Sequence, residues 1–185
     1  MAMTFPNLDG IVRELMLEEF RLDVSLHKLY RGKRLTEFGW GEWPAALEAA
    51  LRSGNDVSLS RWLARPGLLV TTEMATRNGQ TFSRRVPDTA PITFAEGEFN
   101  RYYIRGVCRL ALQLHAAGKG SDDVVVYRAR QSENPRPESV RLEGTRIKAI
   151  DLLRDLRENT AVDGVTTALG LPPGPNSGLS VRLEN

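Results

Sequence analysis

The stretch TFAEGEFNRYYIRGVCRLALQLHAAG, residues 93–118, predicts the helix that organises the fold. Thr93 and Glu96 have the spacing of a capping box, and Gly118 fits the residue that follows a helix end. Apolar side chains recur at three- and four-residue spacings, which is typical of a helix face that packs on a core. The predicted core face consists of Phe99, Tyr103, Val107, Leu110 and Leu114. We therefore expect a helix over residues 94–117 at the centre of the protein.

The same helix carries Arg101, Arg105 and Arg109, four residues apart, along another of its edges. Glu98 lies one turn before Arg101, so a solvated face with its own ion pair is one interpretation. Arginines beside tyrosines also fit a nucleic-acid backbone, or an interface with an acidic partner protein. All three interpretations stay open. The predicted partner-binding residues are Arg101, Tyr102, Arg105, Arg109, Arg128, Arg130 and Arg136.

The residues before this helix predict a helical N-terminal part over 1–66. The first helix is expected over about 10–30, with Asn7 or Asp9 as its cap. The segment PAALEAALRSG predicts a short helix that enters at Pro44 and closes at Gly54. The segment DVSLSRWLAR predicts a third helix that stops before Pro66 and Gly67.

The remainder, residues 67–185, predicts an α+β domain, although one continuous domain with the N-terminal part is also compatible. Two strand-like runs around Asn78-Gly79 predict a β-hairpin over 68–86. DDVVVYRARQ predicts a strand, and SVRLEGTRIKAI predicts two short strands about a turn at Glu143-Gly144. DLLRDLREN predicts a helix, and Leu179–Leu183 a last strand that pairs with residues 124–130. The expected fold is a helical N-terminal part, then a long helix packed on a small, mostly antiparallel sheet.

Composition excludes several kinds of site. One cysteine, Cys108, rules out an intrachain disulfide and a multi-cysteine zinc site, and two histidines, His27 and His115, are too few for a metal centre. We expect no metal and no cofactor. No apolar run approaches the ~20 residues that cross a bilayer, so we expect a soluble intracellular protein without a membrane partner. Residues 101–157 hold 12 basic and 7 acidic side chains, a moderate basic excess.

Catalytic patterns are mostly missing, so we do not expect an enzyme. The chain has no phosphate-binding glycine loop, no nucleophile elbow and no Cys/His pair at a useful spacing. The strand VVVYRARQ resembles the first catalytic strand of ADP-ribosyltransferases, which implies a nucleotide-using enzyme. The serine-rich strand and the Glu-x-Glu or Gln-x-Glu turn of that family do not follow here.

A second resemblance concerns the order of EFNRYYIRGVCRLALQLHAAG, VVVYRARQSENPRPESVRLEGTRI and PPGPNSGLSVRL. Over about residues 93–183 this order resembles the C-terminal domain of bacteriophage minor head proteins of the Mu type, with Leu142-Glu143-Gly144 at the family's turn. Ser139, Ser177 and Ser180 stand where that family has cysteines, so the chain departs from its metal-binding pattern. The resemblance implies a structural component of a phage or phage-like particle near the capsid or its portal vertex.

Two classes of function follow from these observations. The first is a structural or assembly protein of a virion, oligomeric in the assembly and present in the host cytoplasm while particles form. Its partners would be capsid, portal or neck proteins, with packaged nucleic acid as a further partner. The alternative is a nucleic-acid-binding or nucleic-acid-processing protein, and an ADP-ribosyltransferase-like enzyme comes third.

Overall fold

The computed structural model describes residues 3–131, 133–159 and 178–184. The described elements, in chain order, are α1 (Gly10–Ser25), α2 (Glu37–Ser53), α3 (Asp56–Leu63), β1 (Thr72–Arg77), β2 (Gln80–Arg85), α4 (Ala90–Ala116), β3 (Asp123–Arg128), α5 (Pro137–Leu142), β4 (Arg146–Lys148), α6 (Ala149–Glu158) and β5 (Leu179–Leu183). The predicted α+β class is confirmed. No helix of the described part is both long and apolar enough to cross a membrane.

Helix α4 is the central element, and its middle part is buried on every side. All residues from Ala95 to Cys108 are buried, which is the pattern of a helix inside a core rather than on its surface. Helices α1, α3 and α6 pack against it, and β3 and β5 cover a further side. The predicted core face of α4 was therefore too narrow, because Arg101 and Arg105 on the other edge are buried as well.

The ends of α4 differ in how well the sequence predicts them. The helix begins at Ala90, so the predicted capping box of Thr93 and Glu96 is wrong: Thr93 lies inside the first turn, where its hydroxyl donates to the carbonyl of Ala90. Pro91 is the second residue of the helix and is favourable there, because its fixed φ suits the first turn and no amide donor is needed at that position. At the other end Gly118 has φ 68°, as expected for the residue that stops a helix.

The three N-terminal helices are present, with shifted bounds. Asp9 caps α1 by accepting from the amide of Val12, as predicted. Helix α1 ends at Ser25 rather than near residue 30, because His27 adopts a left-handed φ of 56° and the amide of Lys28 returns to the carbonyl of Asp23.

Helix α2 begins well before its predicted entry at Pro44, which lies inside the helix. The side chain of Thr36 caps it by accepting from the amide of Gly39. A side chain at Gly39 would place its Cβ 2.2 Å from the carbonyl oxygen of Leu68, so this glycine permits a close approach and does not break the helix.

The larger sheet has the strand order β4-β3-β5, and both pairings are antiparallel. The predicted pairing of the last strand with β3 is confirmed, with Val124 opposite Leu183 and Arg128 opposite Leu179. The first of the two strands predicted in SVRLEGTRIKAI is wrong, because Pro137 starts helix α5 there. Gly144 forms the predicted turn, with φ 80°.

One hydrophobic core joins the two predicted parts of the chain. It includes Leu17 of α1, Trp43 of α2 and Leu63 of α3 together with residues of α4, α6 and the larger sheet. Trp43 stacks on Phe94, with ring centroids 4.8 Å apart. This arrangement fits the alternative of one continuous domain better than a boundary at residue 66.

Candidate functional site

The arginine row of α4 faces the protein's own helix α1. Arg105 is fully buried, and its Nε donates to Oε2 of Glu19 at 2.8 Å. Its Nη2 donates to Oδ1 of Asp23 at 3.1 Å, and the hydroxyl of Tyr102 donates to Oδ2 of the same carboxylate at 2.9 Å. Glu19 and Asp23 lie one turn apart on α1, so a single helix face supplies both acceptors.

Glu19 connects three elements of the fold. Besides Arg105, it accepts from Nε of Arg157 on α6 at 2.9 Å, and Arg109 lies 3.5 Å from its Oε1. Burial by itself would raise the pKa of Glu19, but the hydrogen bonds and charges of Arg157 and Arg105 hold this pKa below its usual value. The carboxylate is therefore ionised and fixes α1, α4 and α6 relative to one another.

The prediction that this row binds a partner is wrong for Arg101, Tyr102 and Arg105, because all three are buried. Arg101 lies 3.8 Å from Glu98, and its guanidinium lies over the ring of Tyr30. Arg109 has a quarter of its side chain exposed and pairs with Glu18 at 2.6 Å. The row serves internal packing because α1 covers this side of α4.

The other predicted partner-binding arginines do not form one surface. Arg128 donates to Glu143 at 2.6 Å, and its side chain is mostly buried. Arg130 donates a hydrogen bond to Glu96 of α4, so this glutamate pairs with an arginine instead of capping the helix. Arg136, next to the start of α5, is the exposed member of this group.

The candidate nucleophile and metal ligands are not arranged as an active site. Cys108 is completely buried, and this burial, with the charge of Glu19, raises the pKa of its thiol. His27 and His115 are both exposed. Within the described ranges, no group of three or more His, Cys, Asp or Glu side chains could hold a metal ion.

The β1–β2 hairpin, residues 72–85, is the element that the core does not include. Every residue of β2 is exposed, and β1 has only Glu73 and Ala75 in partly buried positions. Met74 and Phe82 are large apolar side chains with exposed fractions of 68% and 43%. The turn is as predicted, since Asn78 and Gly79 both have positive φ, as a type I′ turn requires.

Glu73 attaches this hairpin to the body of the protein. Its carboxylate accepts from Nε of Arg34 at 2.7 Å and from Nε of Arg84, on the neighbouring strand, at 2.9 Å. The hydrogen bonds and charges of Arg34 and Arg84 lower the pKa of Glu73 to about 2. Apart from this carboxylate, the strands contribute little to the packing of the molecule.

The register of the hairpin determines which backbone groups point outward. The amide of Val86 donates to the carbonyl of Thr71, which makes these two residues a hydrogen-bonded pair. Because such pairs alternate along an antiparallel ladder, the backbone amides and carbonyls of Thr81, Ser83 and Arg85 point away from β1. On the opposite side, the base of β1 is covered: the amide of Val70 donates to the carbonyl of Arg34. The outer edge of β2 has no sheet partner in the part of the chain that the structure describes.

No protein-family model, curated protein or solved structure matches the chain.

A function is therefore inferred from the surface of the molecule, where the β1–β2 hairpin is the most exposed pair of strands. Sequence reasoning located this hairpin but did not select it as a site. The signal was present, because TEMATR and QTFSRR show no alternation of apolar and polar residues. Strands without an apolar face gain little free energy by packing on the core of their own chain.

Proposed function

We propose that the protein is a non-enzymatic structural or assembly component of a phage or phage-like particle, and that it binds other particle proteins through the β1–β2 hairpin. The observation that carries the binding role is the exposure of both strands, which bury no apolar face against the body. The particle itself is suggested by the resemblance of residues 93–183 to minor head proteins of the Mu type. In that setting, proteins act by assembling with one another.

The physical argument for a protein partner starts from stability. A two-stranded hairpin is marginally stable in water, and additional strands or a packing surface are needed to make it firm. Here the Glu73 ion pairs supply the attachment, while Met74 and Phe82 remain in contact with solvent. A partner that covers these side chains would stabilise the hairpin and bury apolar surface at the same time.

Nucleic-acid binding is a second candidate, because an antiparallel two-stranded ribbon can enter the major groove of DNA. Residues 72–85 contain Arg77, Arg84 and Arg85 against Glu73, a net formal charge of +2. Two phosphate contacts correspond to a slope of about −1.8 in log K against log salt, far from the steep dependence of tight DNA-binding proteins. The charge of the hairpin therefore supports a protein partner more strongly.

The test replaces residues 72–85 by the dipeptide Asn-Gly. Thr71 and Val86 form a hydrogen-bonded pair, so a two-residue turn can join them without moving the body. We expect an unchanged free energy of unfolding within about 1 kcal/mol, because few packing contacts are lost. Incorporation into particles, measured by gradient sedimentation and immunoblotting in cells that assemble them, should fall to background.

The control is Arg61→Gln, which changes an exposed arginine of α3 outside the hairpin and should incorporate like the wild type. Normal incorporation of the folded hairpin replacement would overturn the proposed function. A gel-shift titration of a 30-base-pair duplex at two salt concentrations tests the second candidate. Hairpin-dependent binding that weakens with salt would favour nucleic acid.

A further inference from the structure

We propose that the outer edge of β2 is a docking edge that takes up an extended, acidic segment of another protein as a third strand. This inference rests on the proposed function, because it specifies how the hairpin binds its partner. In strand addition, main-chain hydrogen bonds provide affinity, and side chains on alternate positions provide specificity.

The backbone of β2 offers the required hydrogen-bonding pattern. Thr81, Ser83 and Arg85 direct their amides and carbonyls away from β1, so donors and acceptors alternate along one line. Every residue of this strand is exposed. Another peptide strand has the same alternation of donors and acceptors and can satisfy all of them, whereas a phosphate backbone provides acceptors alone.

The β1 edge is less suitable than the β2 edge. Residues 34–36 already pair with its base, where the amide of Thr36 donates to the carbonyl of Leu68 and the amide of Val70 donates to the carbonyl of Arg34. An incoming strand would meet this segment before it could follow β1 along its full length. The β2 edge has no such neighbour within the described part of the chain.

The charges of β2 determine the chemistry of the partner. The strand QTFSRR carries Arg84 and Arg85 and no acidic residue. Arg85 is 82% exposed and its described ion pair is with Asp88, which is equally exposed, so water screens that pair strongly. Arg84 lies on the same face as Phe82 and pairs with Glu73, so the charge that a partner can meet is that of Arg85. Aspartate or glutamate beside Arg85, with an apolar side chain beside Phe82 on the other face, would complement the strand. A second copy would instead bring two strands of the same positive sign together.

The test uses two proline variants that affect different edges of the hairpin. Ser83→Pro removes an outward amide of β2, and Thr76→Pro removes an outward amide of β1 without removing an apolar side chain. Neither amide takes part in the β1–β2 ladder. The probe is a nine-residue peptide of alternating valine and glutamate, and the same peptide with lysine in place of glutamate is its control.

We expect Ser83→Pro to weaken binding of the glutamate peptide at least tenfold, and Thr76→Pro to change it less than twofold. In the wild type, hydrogen exchange followed by NMR should show new protection at the amides of Thr81, Ser83 and Arg85 when the peptide is added. This second measurement stays informative if a proline variant loses its hairpin. The lysine peptide should give no protection.

Several results would overturn the inference. These are protection at Thr72, Met74 and Thr76 instead, equal binding of the lysine peptide, displacement of the glutamate peptide by duplex DNA, or self-association that Ser83→Pro abolishes. Failure here is distinguishable from failure of the proposed function. If the Asn-Gly replacement abolishes incorporation into particles while Ser83→Pro leaves it unchanged, the hairpin binds a partner by another face and strand addition is wrong.

Discussion

The position of Arg105 on its helix was predicted correctly, but its role was not, because the side chain pairs internally and does not bind a partner. The four-residue spacing of Arg101, Arg105 and Arg109 predicted a shared helical edge, and that is correct. The environment of this edge depends on α1, which is far away in sequence. A matching signal existed, since Glu19 and Asp23 are also four residues apart. Two helices with complementary charges at the same period can pair along their length.

The first prediction concerns removal of this buried cation. Arg105→Met keeps an unbranched apolar stem but removes the guanidinium, so Asp23 stays buried without its ion pair to Arg105 and Glu19 retains Arg157. We expect the free energy of unfolding to fall by about 3 to 5 kcal/mol, because an uncompensated buried charge is strongly destabilising. Urea denaturation measures this loss.

The control for this substitution is Arg109→Gln, on the same helix edge but a quarter exposed. Its pairing with Glu18 is screened by water, so a change below about 1 kcal/mol is expected. Equal effects of the two substitutions would contradict the internal role assigned to Arg105.

At the scale of elements, the sequence predicts well what is decided locally. The hairpin depends on Asn78-Gly79, and the end of α4 on Gly118, so short-range chemistry was sufficient for both. Pro44 was predicted to start a helix but lies inside α2, and helix α5 begins at Pro137 where a strand was predicted in SVRLEGTRIKAI. Proline suits the first turn of a helix and is occasionally accommodated further in. The choice between these positions depends on tertiary packing, which no short window contains.

The candidate site followed a different logic. The arginine row of α4, which was predicted as a site from its charge alone, is mostly buried. Arginine is also the residue that most often pairs with a buried carboxylate, so its charge does not by itself indicate a surface. The hairpin was predicted correctly as an element of the fold, but it was not recognised as a binding surface. The feature that indicates this surface is the absence of an apolar face, which is easily overlooked in a sequence. The strands TEMATR and QTFSRR would have indicated it, had their lack of alternation been weighed.

The second prediction compares two glycines inside helices. A Cβ at Gly106 of α4 would lie 3.0 Å from the carbonyl oxygen of Val12 and 2.9 Å from Cγ of Met16, where α1 crosses closely. A Cβ at Gly41 of α2 would meet nothing within 4 Å. Gly41→Ala should therefore stabilise the protein by about 0.5 to 1 kcal/mol, the usual gain in helix propensity.

Gly106→Ala should instead destabilise the protein by about 1 to 3 kcal/mol, because the Val12 carbonyl belongs to a helix backbone and α1 must shift to make room. Thermal and urea unfolding of both variants check the pair. A gain in stability for Gly106→Ala would mean that α1 and α4 do not approach as closely as the structure places them.

The whole molecule is built around α4, and this arrangement decides how it unfolds. Helices from the first 66 residues and the larger sheet pack on different sides of the same helix, so neither group retains its core without it. Sequence reasoning left one or two domains open, because a Pro-Gly pair at residues 66–67 marks a turn equally well within a domain or between domains.

The last prediction is that both parts of the chain unfold in one transition. All three tryptophans, Trp40, Trp43 and Trp62, lie in the first 66 residues, whereas Cys108 lies in α4 and is fully buried. Tryptophan fluorescence and a short pulse of thiol reagent, applied at each urea concentration, therefore report on different parts of the chain. The midpoints should coincide, because a shared core unfolds cooperatively. A tryptophan transition that precedes exposure of Cys108 would mean that residues 1–66 form a separate domain.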